Sequence, residues 1–225
     1  MASTVVPEVV DLERFPAGRE HFTAEKLNTL PPKPGFDLCK RLFDLILALV
    51  LLPLFLIPML LIAVLIRVDS PGKAIYCQTR LGRNQKPFVM YKFRTMHLNA
   101  EELGPQWAAV DDRRSTCFGR FLRHSHLDEL PQLVNIIAGQ MSFVGPRPER
   151  PEFYDVFDTY IDGFRQRTMV RPGLTGLAQI NGGYELLPEE KIVYDLEYIK
   201  NRSAALDLKI ILRTFAVVFG RKDVR

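Results

Sequence analysis

The chain has 225 residues, 47% apolar and 25% charged, with a formal charge of +4; that length suits one catalytic unit plus a tail or membrane element and excludes two full domains. The composition is ordinary for a globular protein, so membrane character has to be concentrated in one segment. Cys39, Cys77 and Cys117 form no Cys-x-x-Cys and have no histidine at metal spacing, which excludes a disulfide framework and a zinc site and fits a reducing cytosolic setting.

Residues 1–35 carry Pro16, Pro31, Pro32 and Pro34, show no apolar period, and lack the basic-then-apolar layout of a signal peptide. They read as an N-terminal tail, loosely ordered or docked on a neighbour, with one short helix around residues 23–30. Lys40-Arg41-Leu42-Phe43-Asp44 follows, and then residues 45–66, which hold no charge. As a helix this run reaches about 33 Å, enough to cross a hydrocarbon core. Pro53 and Pro58 interrupt it, each removing a backbone donor, so a central break or kink is expected. Both flanks are basic, which favours a re-entrant helix over residues 36–68 that returns to the same cytosolic face; a kinked single span and a buried core helix remain alternatives. From residue 36 to 94, nine Lys or Arg stand against Asp37, Asp44 and Asp69, a balance suited to phosphates, anionic lipid or nucleic acid.

Residues 69–225 read as the catalytic domain. Residues 73–79 and 87–93 have strand composition with a turn at Leu81-Gly82-Arg83-Asn84, a small hairpin. Residues 95–110, with the single Trp107, read as helix or loop. Helices are expected at 118–123, 128–138, 152–169 and 188–201, with turn-rich chain at 142–151 and 171–183. Residues 206–219 form an apolar helix with Lys209 and Arg213 interspersed, either interfacial or core-packing.

Four constellations could carry chemistry. Asp128-Glu129, preceded by Arg123, would bind a divalent cation and phosphate oxygens, and an ionised aspartate there can attack phosphorus. The same acids also read as helix-start residues in a capping box from Ser125, with Pro131 near the helix start. In Gly145-Pro146-Arg147-Pro148-Glu149-Arg150, Pro146 and Pro148 stiffen the loop that presents Arg147, as phosphate recognition requires, or make a rigid surface turn. In Tyr91-Lys92-Phe93-Arg94, alternation puts Lys92 and Arg94 on one strand face, able to hold a diphosphate or simply solvated. The four glycines of residues 171–183 allow close backbone approach to a ligand but have no dinucleotide or Walker spacing. His97, His124 and His126 read as structural or solvent-facing.

These pieces in this order resemble the bacterial sugar transferase family, the monotopic phosphoglycosyl transferases that initiate surface-glycan pathways. The resemblance rests on Lys40-Arg41-Leu42-Phe43-Asp44, Asp69-Ser70-Pro71-Gly72, Tyr91-Lys92-Phe93-Arg94-Thr95-Met96, Leu127-Asp128-Glu129-Leu130-Pro131-Gln132-Leu133, Gly145-Pro146-Arg147-Pro148-Glu149, Arg171-Pro172-Gly173-Leu174-Thr175-Gly176-Leu177-Ala178-Gln179 and Leu206-Asp207-Leu208-Lys209-Ile210-Ile211-Leu212. It implies transfer of a sugar-1-phosphate from a UDP-sugar to undecaprenyl phosphate, with UMP released, through an aspartyl intermediate. It also implies Mg2+ as cofactor, Asp128 as nucleophile and metal ligand, and Glu129 as its support. Arg123 becomes a lipid-phosphate ligand, Arg147 between Pro146 and Pro148 a nucleotide-side contact, and Lys92 a phosphate partner. The expected location is the cytosolic face of the bacterial inner membrane, with membrane lipids as partners and no nucleic acid. Oligomeric state, a homodimer included, the sugar, the pathway and the role of residues 1–35 stay open. The sequence departs from the family where Ile57-Pro58 replaces Ser-Pro in the membrane segment, and where His126 replaces a serine or threonine beside the acids. The resulting fold class is α+β: a small, mainly helical catalytic domain with a short hairpin, a proline-broken re-entrant membrane helix and interfacial amphipathic helices. A non-catalytic lipid-binding scaffold for glycan assembly and a hydrolase using water as acceptor are the competing readings.

Overall fold

The computed structural model describes residues 21–27, 29–30, 32–102, 104, 112–183 and 186–219; Trp107 and most of the tail lie outside that set. The chain is mixed α and β. A 36-residue helix, α1 (Pro34–Asp69), leads into an antiparallel hairpin of β2 (Ile75–Leu81) and β3 (Pro87–Phe93). Then come α2 (Cys117–Ser125), α3 (Gln132–Ile137), β4 (Ser142–Val144) and α4 (Pro151–Phe157). The chain closes with β6 (Gly173–Thr175), α5 (Leu177–Asn181), α6 (Pro188–Asn201) and α7 (Ala204–Phe219).

Several expectations change, and the helix expected over 128–138 is a 3-10 turn, Leu127–Glu129, followed by α3. Residues 23–30 form no helix among the described positions: Phe22–Thr23 is β1, parallel to β5 (Ile161–Asp162), and the Leu27 amide donates to Gln166 at 2.6 Å. The helix expected over 152–169 is instead α4, β5 and a 3-10 segment, Phe164–Met169, because Gly163 takes a left-handed φ of 79° and β5 is drawn into pairing with β1.

Helix α1 continues through Pro53 and Pro58, so the break expected there does not interrupt it; each proline removes one intrahelical bond. Its outer face is bare hydrocarbon, with Leu54, Ile57, Leu60, Leu61 and Val68 exposed. Its inner face is attached to the domain at both ends. Near the start, Lys40 pairs with Asp207 at 2.6 Å, Arg41 donates to the Ile136 and Ile137 carbonyls, and buried Asp44 accepts from the Phe143 amide. Toward the end, Ile62 and Ile66 pack with Phe93 and Leu122. The run is therefore neither a core helix nor a free mast. Helix α7 packs on the core through fully buried Ile210, while Leu208, Leu212 and Phe215 are exposed.

Arg94 closes the C-terminal end of α1. Its guanidinium donates to the carbonyls of Ser70 at 2.7 Å and Pro71 at 2.6 Å, to Ser70 Oγ at 2.8 Å, and more weakly to Ile66 O at 3.4 Å. A fixed cation on the negative end of the helix satisfies the Ser70 and Pro71 carbonyls, which have no intrahelical partner, while Ile66 O also accepts the Ser70 amide at 3.1 Å. Arg94→Ala is expected to cost about 2–3 kcal/mol, because it removes the donor to the carbonyl and hydroxyl of buried Ser70 and to the Pro71 carbonyl at once; thermal unfolding in detergent checks this, and an unchanged midpoint would contradict it.

Candidate active site

Asp128 and Glu129 lie on a 3-10 turn, Leu127–Glu129, between α2 and α3. Helix α2 ends at Ser125, whose hydroxyl faces the carbonyls of Phe121 and Leu122 at 2.9 and 3.2 Å. His126 then reverses the chain in a left-handed conformation, φ 56° and ψ 13°, and Pro131 starts α3. The capping box expected from Ser125 does not form: its hydroxyl belongs to the end of α2, and neither the 3-10 turn nor α3 has a side-chain cap. Local helix chemistry therefore leaves the two acids unexplained.

Both carboxylates are 8% exposed, a placement that is costly for charge without compensation. Compensation is unequal. Glu129 Oε1 accepts from Lys92 Nζ at 2.8 Å and from Arg147 Nη2 at 2.6 Å. Burial pushes its pKa up, but Arg147 and Lys92, through charge and hydrogen bonds, outweigh burial and hold Glu129 well below the usual carboxylate range. Asp128 makes no hydrogen bond or ion pair with a described residue. Burial pushes its pKa up, and the Glu129 charge adds to the rise; Lys92, Arg147 and Arg123 offset it only in part.

The residues around the pair come from three separate stretches of chain. Lys92 is on β3, opposite Tyr76 of β2. Arg123 is in the last turn of α2, and its charge reaches Asp128. Arg147 is half-buried between buried Pro146 and Pro148. Its loop is fixed on several sides: the Gly145 amide donates to Thr175 O, the Gly173 amide donates to Pro146 O, both at 2.9 Å, and Arg80 Nη1 donates to Pro148 O at 3.1 Å. Gly173 and Gly176 serve this contact, since a Cβ on Gly173 would stand 2.1 Å from the Gly145 nitrogen and one on Gly176 2.2 Å from the Gly145 oxygen, while Gly182 lies against Leu186.

One expected pairing is corrected. Lys92 and Arg94 do not form a two-cation diphosphate cradle, because Arg94 is buried against the α1 carbonyls and Lys92 is bonded to Glu129. Sequence reading also missed Arg167. Arg167 Nη2 donates to the Arg147 carbonyl at 3.0 Å while its Nε meets Asp195 at 2.5 Å, with both side chains 1% exposed. The guanidinium stands 4.8 Å from the Phe164 ring centroid. No sequence signal marked it, since 28 residues separate it from its partner.

Among the described residues no group of three His, Cys, Asp or Glu side chains converges as a metal site. The unbonded Asp128 carboxylate still fits Mg2+, which commonly takes one or two protein carboxylates and draws its other ligands from substrate phosphates and water.

A buried, unequal carboxylate pair flanked by three cations stands next to a long helix whose outer face is exposed hydrocarbon. The chain belongs to the Bacterial sugar transferase family, whose description matches residues 36–221. It is 40% identical over 202 residues to a UDP-N-acetylgalactosamine-undecaprenyl-phosphate N-acetylgalactosaminephosphotransferase of Aeromonas hydrophila, covering 88% of this chain and 48% of that protein. It is 38% identical over 216 residues to the UDP-glucose:undecaprenyl-phosphate glucose-1-phosphate transferase of Escherichia coli, covering 90% of this chain and 46% of that protein. The Caulobacter vibrioides protein of the same description is 44% identical over 190 residues, with 81% of this chain and 70% of the relative covered. The chain thus spans about half the length of the first two relatives.

Proposed function

We propose that this protein transfers a sugar-1-phosphate from a UDP-sugar to undecaprenyl phosphate, giving undecaprenyl-diphospho-sugar and UMP, as the first membrane step of a surface-glycan pathway. The observation that carries the reading is the inequality of the acid pair: Glu129 is neutralised by Lys92 and Arg147, whereas Asp128 is buried and bonded to no other described residue. A binding scaffold has no use for a buried carboxylate held without a partner.

In the first step an Asp128 carboxylate oxygen attacks the β-phosphorus, the bond from that phosphorus to the bridging oxygen breaks, and UMP leaves with the electron pair. In the second, an oxygen of the lipid phosphate attacks the same phosphorus and the Asp128 carboxylate is released, forming the diphosphate. Mg2+, held by Asp128 and the donor phosphates, would offset charge between the carboxylate and the diphosphate. Glu129 keeps Lys92 and Arg147 in place. Arg147 serves the nucleotide side, on a loop stiffened by Pro146 and Pro148, and Arg123 the lipid phosphate; their charges lower the repulsion between two anions.

The same proposal places the domain on the cytosolic face of the bacterial inner membrane, with α1 entering and returning at that face by a bend at Pro53 and Pro58 that leaves the backbone helical. Attachment of both the start and the end of α1 to one body supports this over a spanning helix. The test is UMP release from a panel of UDP-sugars with Mg2+ and undecaprenyl phosphate. Sugar-phosphate recovered on lipid supports the reading, sugar-phosphate free in solution makes the protein a hydrolase, and no release with any donor refutes it.

A further inference from the structure

Away from the acid pair, an open cavity of about 460 Å³ lies between the tip of the β2–β3 hairpin and the loop after α3. Arg83, Lys86 and Arg171 line it together with Asn84, Gly139 and Gln140, and no acidic residue does. Arg41 stands directly behind its wall, since a Cβ on Gly139 would lie 3.3 Å from Arg41 Nη2. The acids that act on Arg171, Asp37 and Asp44, are already engaged, Asp37 with Arg202 and Asp44 with the Phe143 amide. Burial first, and then the charges of Arg41 and Arg83, lower the Arg171 pKa, so these cations repel one another as they stand. The side chains of Arg83 and Lys86 have no hydrogen-bond or ion-pair partner among the described residues.

The turn that carries them is held in an unfavourable shape. Asn84 and Gln85 are consecutive non-glycine residues with φ of 55° and 60°, a costly arrangement that surrounding contacts have to maintain. Here Arg165 Nη1 donates to Gln85 Oε1 at 2.9 Å and the Gly82 amide donates to Lys86 O at 2.9 Å. Height matters as well: Arg41 precedes the uncharged run of α1 by only a few residues, which is the level of lipid phosphates if that run enters a bilayer.

We propose that this cavity is a binding site for the phosphate of an anionic glycerophospholipid headgroup, gathered by Arg83, Lys86 and Arg171 at the point where α1 meets the membrane. The proposal rests on the membrane placement given above but not on the transfer chemistry. A bound phosphate monoanion would relieve the repulsion among the cations without disturbing the Lys92–Glu129–Arg147 set, which is built on other elements.

The full chain in phosphatidylcholine nanodiscs would be titrated with short-chain phosphatidylglycerol, with short-chain phosphatidylcholine and with inorganic phosphate, reading the thermal midpoint. Phosphatidylglycerol alone is expected to raise it. In the double variant R83A/K86A the apparent affinity should fall about 25-fold, at roughly 5-fold per surface charge, with the midpoint in pure phosphatidylcholine unchanged because both side chains lack partners. UMP release, measured in the same discs without phosphatidylglycerol, should match the parent in the variant. Equal titrations for parent and variant, or equal responses to phosphatidylglycerol and phosphatidylcholine, would overturn the lipid site. A response to inorganic phosphate as strong as to phosphatidylglycerol would also overturn it in favour of a soluble anion. Loss of UMP release in both proteins alongside an intact lipid response would count against the transferase reading alone.

Discussion

Asp128→Asn is expected to lower sugar-phosphate transfer by about 10³–10⁶-fold, the range seen when a covalent nucleophile is removed. The variant keeps the size and polarity of the side chain, so the 3-10 turn and the Glu129 contacts should persist and the thermal midpoint should hold. A donor labelled on its β-phosphate, supplied without lipid acceptor, should leave label on the parent protein and none on Asp128→Asn. Turnover at the parent level in the variant would remove Asp128 as nucleophile. The pH profile adds a second check. Attack requires the ionised carboxylate, and the Asp128 pKa is raised by burial and by Glu129. Transfer should therefore be present at higher pH and be lost as pH falls through a value above the usual aspartate range of about 3.9. Glu129, held low, stays ionised throughout that window and contributes no limb of its own. Lys92→Met should move the limb upward, since the Lys92 charge lowers the Asp128 pKa; a limb that stayed in place would contradict the electrostatic account.

Asp195→Ala is expected to be the most damaging change outside the acid pair. It leaves the Arg167 guanidinium 1% exposed with its charge uncompensated, a loss of about 3–5 kcal/mol. For a chain of this size that corresponds to a fall of roughly 6–20 °C in midpoint. Asp195→Asn, which keeps an acceptor, should lose less. Because Arg167 also holds the Arg147 carbonyl, Arg167→Lys should reduce transfer through Arg147 even where the fold survives: Lys has one point charge in place of a fork that reaches both partners. A midpoint within 1–2 °C of the parent for Asp195→Ala would show that the pair is not a stabilising contact.

Arg167 illustrates why parts of the site were not legible in the sequence. Burial of an arginine depends on what α6 brings over it, and no local pattern encodes Asp195 as its partner. Arg94 is a similar case: alternation placed it on the face with Lys92, and the α1 C-terminus claimed it because a helix end with orphaned carbonyls lay within reach of a long guanidinium. The hairpin, by contrast, was legible, since β-rich stretches bounded by Leu81-Gly82-Arg83-Asn84 admit few other local structures. So was the Pro188–Asn201 helix, which starts at a proline followed by two acids.

The sequence by itself determined the concentrated apolar run, the basic flanks, the helix starts set by prolines and acids, and the ordered motifs that point to one family. Those features are local or additive along the chain, so they survive without knowledge of what packs on what. Only the tertiary structure decided that Asp128 and Glu129 differ. Two adjacent carboxylates look alike in sequence, and the difference arises because β3 and the Gly145-Pro146-Arg147-Pro148 loop bring two cations into bonding distance of Glu129 and no described cation into bonding distance of Asp128. In the same way, the apolar length of α1 was readable in advance, while attachment of both its ends to one body depended on Arg41, Asp44 and Arg94 finding partners far along the chain.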